Sequence, residues 1–287
     1  MKCASGLLMA MALLVLGNLF ATLTDVVVKA LGNENTVFQY LWLRQVATLM
    51  LVFPFWWSQG PAQRRPGALK IHLMRAHLGI IGASCTLFAL LHLSLATANV
   101  IFYAAPLLTV LAAFLWLKEE VRRQRIINAV IGFIGVMIAL RPDQLQWAAL
   151  VAFVVAMTIT GFNLLVVKLP KTISVASVMM WTNLCALPVT SLLAMSTWQP
   201  MGGQQFQELL ILGICAAITV GIYQGCVVLA FRQADASAAV IAEYSGLIFA
   251  AVFGYYLFNE SLDMYTTIGI LLIILPIVLQ GWQGKRQ

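Results

Sequence analysis

The chain has 287 residues, 62% of them hydrophobic and only 9% charged, with a mean hydropathy of +0.93. Ordinary water-soluble domains carry about 25% charged residues, so this balance excludes one. The formal charge of +7 invites a polyanion partner, but its placement along the chain argues against nucleic acid.

A membrane-spanning helix needs about 20 mostly apolar residues. Hydropathy predicts ten, near 5–30, 36–57, 76–94, 96–117, 124–140, 145–167, 173–196, 208–231, 236–258 and 264–283. The expected fold class is an all-α polytopic membrane protein. Lys2 and the apolar run behind it imitate a secretory signal. That run continues past Gly17 and Asn18 to about Val28 without a small-residue cleavage site, so an uncleaved first span is expected.

Charge orients the spans. With the N-terminus inside, 14 of the 17 Lys and Arg residues fall on the cytoplasmic side. They include Arg64, Arg65, Lys70 and Arg75 in one connector, and Lys118, Arg122, Arg123 and Arg125 in another. Lys29 and Arg141 lie near the outer side, and Arg44 falls inside span 2. Trp56, Trp57, Trp147, Trp198 and Trp282 read as interfacial anchors. Cys3, Cys85, Cys185, Cys215 and Cys226 have no Cys-x-x-Cys spacing and form no metal-ligand pattern with His72, His77 and His92. They are expected as small buried packing residues, and no metal or cofactor is called for.

A cassette recurs 141 residues on. SLATANVIFYAAPLLTVLAAFLWLKE (94–119) aligns with DASAAVIAEYSGLIFAAVFGYYLFNE (235–260), matching Ala98 to Ala239, Tyr103 to Tyr244 and Glu119 to Glu260. Five spans in each half require the second copy to be inverted in the bilayer, a common construction of secondary transporters. The expected units are 1–142 and 143–287. Glu119 and Glu260 then close their cassettes at opposite membrane faces, as anchors and not as catalytic groups.

Ionisable groups inside spans are the first candidates for function, since each costs roughly 2.5–3.5 kcal/mol at a helix centre. Arg44 lies roughly 12 Å deep, at 1.5 Å per residue. It cannot shed its proton, and Asp25, at similar depth in span 1, is its expected partner. Two readings stand: a structural ion pair, or an Arg44 that holds an electronegative substrate group. Glu243 in span 9 has no basic residue nearby in sequence. It reads as a protonated, hydrogen-bonded carboxyl suited to substrate contact or proton coupling.

Polar and aromatic groups at mid-span depth extend the set. They are Asn99 and Tyr103 in span 4, Thr158, Thr160 and Asn163 in span 6, Trp181 and Asn183 in span 7, Tyr223 and Gln224 in span 8, and Tyr244 in span 9. Together they would line a cavity suited to a ring-bearing or zwitterionic solute; singly, each is explained by interhelical hydrogen bonding. Gly132-x-x-Gly135 and Gly221-x-x-x-Gly225 read as small-residue packing faces, and Pro106, Pro188 and Pro276 as kinks.

PLLTVLAAFLWLKE (106–119), followed by IGFIGVMIALRP (131–142), resembles the first half of an EamA-type member of the drug/metabolite transporter superfamily. EYSGLIFAAVFGYYLFNES from Glu243, then TIGILLIILPIVL, is similar to the matching second half. Asp25, Lys29, Gln39 and Arg44 resemble the opening two spans of one branch. The second cassette departs from the pattern at Leu247, where the first has Pro106.

The resemblance implies two inverted five-helix bundles around a cavity formed by spans 1, 3, 4, 6, 8 and 9, with Tyr103, Tyr223, Glu243 and Tyr244 near it. It implies an inner-membrane secondary transporter of a small organic metabolite working by alternating access. Riboflavin or S-adenosylmethionine ranks first, then amino-acid-like or toxic organic solutes. The termini are expected in the cytoplasm. Partners would be the solute and the lipid bilayer, with a homodimer allowed.

The alternatives are an intramembrane enzyme acting on lipid or peptide, and a non-transporting assembly subunit. The first lacks His-Glu-x-x-His or clustered aspartates in a span, and the second does not require a buried Arg44 and Glu243.

Overall fold

Each predicted apolar stretch carries a helix in the computed structural model, which describes residues 2–32, 36–116, 123–140, 147–170, 172–233 and 240–283. In lipid no water competes for backbone groups, so a spanning segment has to satisfy them internally, and the helix does so. In chain order the helices are α1 (Lys2–Ala30), α2 (Val37–Trp57), α3 (Leu69–His92), α4 (Leu95–Phe102), α5 (Ala104–Trp116) and α6 (Arg123–Leu140). They continue with α7 (Trp147–Val167), α8 (Val175–Ser196), α9 (Gly203–Gln233), a 3-10 helix (Val240–Tyr244), α10 (Ser245–Phe258) and α11 (Met264–Gln283). Among the described residues there is no strand. Among those residues, six helical segments are long and apolar enough to cross a membrane.

Two of the rods are broken, at matched places. α4 ends at Phe102 and α5 starts at Ala104, with Tyr103 between them; the 3-10 helix ends at Tyr244, next to α10. The aligned tyrosines of the two cassettes therefore mark both breaks. Their causes differ. Pro106 offers no N–H to the Phe102 carbonyl and its ring crowds that carbonyl, which interrupts the first rod. Leu247 stands at the matching place in the second rod, and there the break is held by tertiary hydrogen bonds.

Helix pairing follows a two-fold pattern. The broadest contacts join α1 to α9, α3 to α7, α2 to α8 and α6 to α11. Contacts at the helix ends fix direction. The C-terminal ends of α1, α3 and α10 meet the starts of α4 and α7: Lys29 pairs with Glu260, the Leu95 N–H donates to Glu260 Oε2, and the Phe88 ring packs on Trp147. At the opposite end Arg232 of α9 donates to the Ile173 carbonyl, and Trp181 of α8 to the Arg64 carbonyl. α1 and α7 consequently run in opposite directions.

The surface is apolar and the interior is partly polar. Met195, Met50, Leu192 and Leu8 are exposed, whereas Asn18, Gln45, Asn99, Asn163 and Asn183 are buried. This reverses the soluble pattern, as lipid contact requires.

Of the glycine motifs, one is a packing face. A Cβ on Gly135 would stand 2.8 Å from the Gly269 carbonyl oxygen and 3.0 Å from Leu272 Cβ, so α6 and α11 cross there in direct contact. The other is not. Gly225 has open space around it and Gly221 only the flexible end of Met179. Gly135→Val is expected to lower stability by about 1–3 kcal/mol through overpacking. Thermal unfolding in detergent reads this out against Gly202→Ala, where a Cβ meets nothing within 4 Å.

Several other expectations change. α3 begins at Leu69, seven residues before the predicted span, so Arg75 belongs to a helix and not to a basic connector. Trp181 turns to the connector and not to a cavity. Cys226 is buried, but Cys215 faces outward. Trp57, Trp147 and Trp198 are exposed, as anchors must be. Glu119, Arg141 and Lys118 lie outside the described residues, as does Arg122.

Candidate functional site

The two breaks meet inside the bundle, where α1 satisfies the carbonyls of the second and α7 hydrogen-bonds to the chain beside the first. Asn18 of α1 donates from Nδ2 to the Glu243 carbonyl (2.7 Å), to the Ala242 carbonyl (3.2 Å) and to Ser245 Oγ (3.2 Å). Thr160 of α7, at nearly the equivalent position, donates to the Ala105 carbonyl at 3.0 Å. A broken helix at membrane depth is tolerated when other groups take over its freed carbonyls. The break near Tyr244 is thus a tertiary feature supplied by α1. The Tyr103 and Tyr244 rings lie 6.2 Å apart across the junction.

Beside the junction lies a cavity of about 180 Å³. Asn18, Asp25, Arg44, Asn99, Tyr103, Tyr223 and Glu243 line it. Glu243 is 5% exposed, and its Oε1 has no hydrogen-bond partner among the described residues. Asp25 accepts a hydrogen bond from Asn99 Nδ2 at 3.1 Å.

A second cavity of about 170 Å³ shares the walls Arg44, Ala83, Thr86, Ile159, Val220 and Tyr223 with the first, so the two adjoin. Its lining adds Arg75, Asn163, Gln224 and Asn183. Arg75 is 2% exposed. Nη1 donates to the Phe162 carbonyl at 3.0 Å, and the guanidinium lies 4.0 Å from the centre of the Phe162 ring. Its Nε and Gln224 Oε1 have no hydrogen-bond partner among the described residues. Gln45 Nε2 is bound to Asn183, through Oδ1 at 2.7 Å and the carbonyl at 2.8 Å, which fixes α2 against α8.

The predicted residues are largely brought together. Glu243, Arg44, Asp25, Tyr103, Asn99, Tyr223, Gln224 and Asn163 all line the two adjoining cavities. Tyr244 stands behind it, buried against Tyr103. The expected Arg44–Asp25 ion pair is not formed; the pair found among the described residues is Lys29–Glu260, at 2.5 Å. Asn259, with φ 51°, ends α10 in the left-handed region, and the Glu260 N–H bonds back to the Gly254 carbonyl. That turn brings the carboxylate to Lys29 and to the first N–H of α4.

Sequence reasoning missed Arg75 and Asn18 as site residues. A loop assignment hid the first. The second was visible as a lone amide in an apolar run.

An apolar-surfaced helical bundle that encloses a charged chamber defines a polytopic membrane transporter. The EamA-like transporter family matches the chain twice, over residues 8–141 and 146–281, and the chain belongs to that family. It is 25% identical over 252 residues to an S-adenosylmethionine uptake transporter of Rickettsia felis, covering 87% of this chain and 84% of that one. To a riboflavin transporter of Vibrio cholerae it is 27% identical over 243 residues, covering 83% and 80%. A crystal structure 16% identical in sequence superposes with a TM-score of 0.66, covering 99% of this chain and 98% of that one; that likeness concerns the fold.

Proposed function

We propose that the chain is a secondary carrier of a small organic metabolite in a bacterial inner membrane, with ten spans and both termini in the cytoplasm. Alternating access would come from rocking the two five-span units, 1–142 and 143–287, against each other around the central chamber. The observation that carries this reading is buried Glu243, whose carboxyl Oε1 has no hydrogen-bond partner among the described residues, at a helix break on the chamber wall. A polar group without a partner at membrane depth is costly and marks a pathway. Two features support S-adenosylmethionine or riboflavin as first candidates. Relatives carry those names, and tyrosine rings beside carboxylates suit a ring-bearing solute.

The full chain reconstituted in liposomes tests the reading with labelled S-adenosylmethionine, riboflavin and a set of amino acids. Saturable uptake of at least one solute, abolished by a proton ionophore, is the expected result. Chemical conversion without flux would replace the carrier by an enzyme. Flux of nothing would leave an assembly subunit.

A further inference from the structure

The chamber is divided by sign of charge. Asp25 and Glu243 line the part beside the helix breaks. Arg75 and Arg44 line the other part, where no carboxylate is present among the described residues. Arg44 and Tyr223 stand on the boundary and belong to both walls.

Two guanidinium groups lining one cavity repel each other, and neither can neutralise by losing its proton. A buried charge without a counter-charge is unfavourable, so such a site favours an incoming anion. Hydrogen-bonding capacity is already aimed there. Arg75 Nε is unpartnered while its Nη1 is fixed by the Phe162 carbonyl and its face by the Phe162 ring. The fork is held in one orientation before anything binds, which lowers the ordering cost of a bidentate contact. At the other pole, Glu243 Oε1 is an unpartnered acceptor.

We propose that Arg75 and Arg44 form a carboxylate-binding subsite, and that the carrier takes a dipolar solute head to tail, its anionic end on the arginines and its cationic end on Asp25 and Glu243. This rests on the carrier reading and narrows its substrate class. A neutral flavin leaves both poles unmatched, whereas a solute with a carboxylate at one end and a cationic centre at the other matches both. The carboxylate would accept from Arg75 Nε and from Arg44, with Gln224 and Asn163 beside them, while a ring in the middle would meet Tyr223.

The test uses the full chain in liposomes and three probes: S-adenosylmethionine, its decarboxylated analogue and riboflavin. Wild-type protein is expected to bind S-adenosylmethionine about 10–100-fold more tightly than the decarboxylated analogue, the effect of charge-assisted hydrogen bonds to one carboxylate. In Arg75→Gln the ratio between those two probes should collapse toward one; in Arg75→Lys it should fall only in part, because charge remains and the fork is lost. Thermal unfolding of each variant separates misfolding from lost recognition, and if Arg75→Gln does not fold, the ratio in Arg75→Lys decides. An unchanged ratio in a folded variant, or preferential binding of riboflavin by wild type, overturns the dipolar assignment and leaves the carrier standing. Flux of no probe and no amino acid overturns both.

Discussion

Glu243→Gln is expected to reduce concentrative uptake by at least about 100-fold, equivalent to about 2.7 kcal/mol at 1.36 kcal/mol per decade. Gln keeps the volume and the hydrogen-bonding reach of Glu but cannot ionise. The backbone around residue 243 should survive the change, because Asn18 holds its carbonyl oxygen and not its side chain. What is removed is a carboxyl with an unpartnered oxygen on the chamber wall. If that carboxyl carries the coupling proton, wild-type uptake rises as external pH is lowered, and the slope disappears in the variant. Exchange of labelled for unlabelled solute with no gradient then separates the two roles of Glu243. A coupling carboxyl leaves exchange running, whereas a substrate ligand loses exchange and uptake together. Wild-type uptake with an unchanged pH profile would remove Glu243 from the mechanism.

Hydropathy was sufficient to locate the helical rods, because each carries an apolar stretch that stands out from its polar connectors. It failed where a charge sits inside a helix near its end. The early start of α3 turned Arg75 from a loop cation into a chamber wall, and a window that scores charge as loop cannot see that. Depth alone misassigned the partner of Arg44. Position along a helix fixes height in the membrane, but not the direction a side chain takes around the helix axis. Asp25 and Arg44 share a height and a cavity, yet Asp25 bonds to Asn99, on α4.

The pairing of Lys29 with Glu260, between distant parts of the chain, rests on a left-handed turn at Asn259 that no periodicity announces. The aligned tyrosines were legible in the repeat; that both mark breaks was not. Pro106 signals the first break in sequence. The second depends on Asn18, and such an interaction is written in the partner helix and not in the cassette itself.

Gly246→Ala tests whether the junction of the two breaks has to stay closely packed. A Cβ at this position would fall 1.7 Å from Tyr103 Oη, 2.8 Å from Tyr103 Cζ and 3.4 Å from Asn18 Cβ. The first two distances are impossible for real atoms, so the Tyr103 ring has to leave its place. That ring lines the chamber and faces Tyr244, and Asn18 alongside is the side chain that satisfies the carbonyls of the second break. Transport is therefore expected to fall to background, with stability reduced by about 1–3 kcal/mol, the usual range for overpacking.

Tyr103→Phe removes the atom that clashes hardest and leaves the ring. Combined with Gly246→Ala it should recover part of the lost stability, giving a coupling energy of about 0.5–3 kcal/mol in a double-mutant cycle. Simple additivity of the two changes, measured by thermal unfolding in detergent, would mean that Tyr103 and Gly246 do not meet. Gly60→Ala, where a Cβ has nothing within 4 Å, should leave both stability and uptake at wild-type values. A transport defect in Gly246→Ala that persists after stability recovers would locate the requirement in the position of the Tyr103 hydroxyl. Recovery of both together would locate it in the packing of the two broken rods against α1.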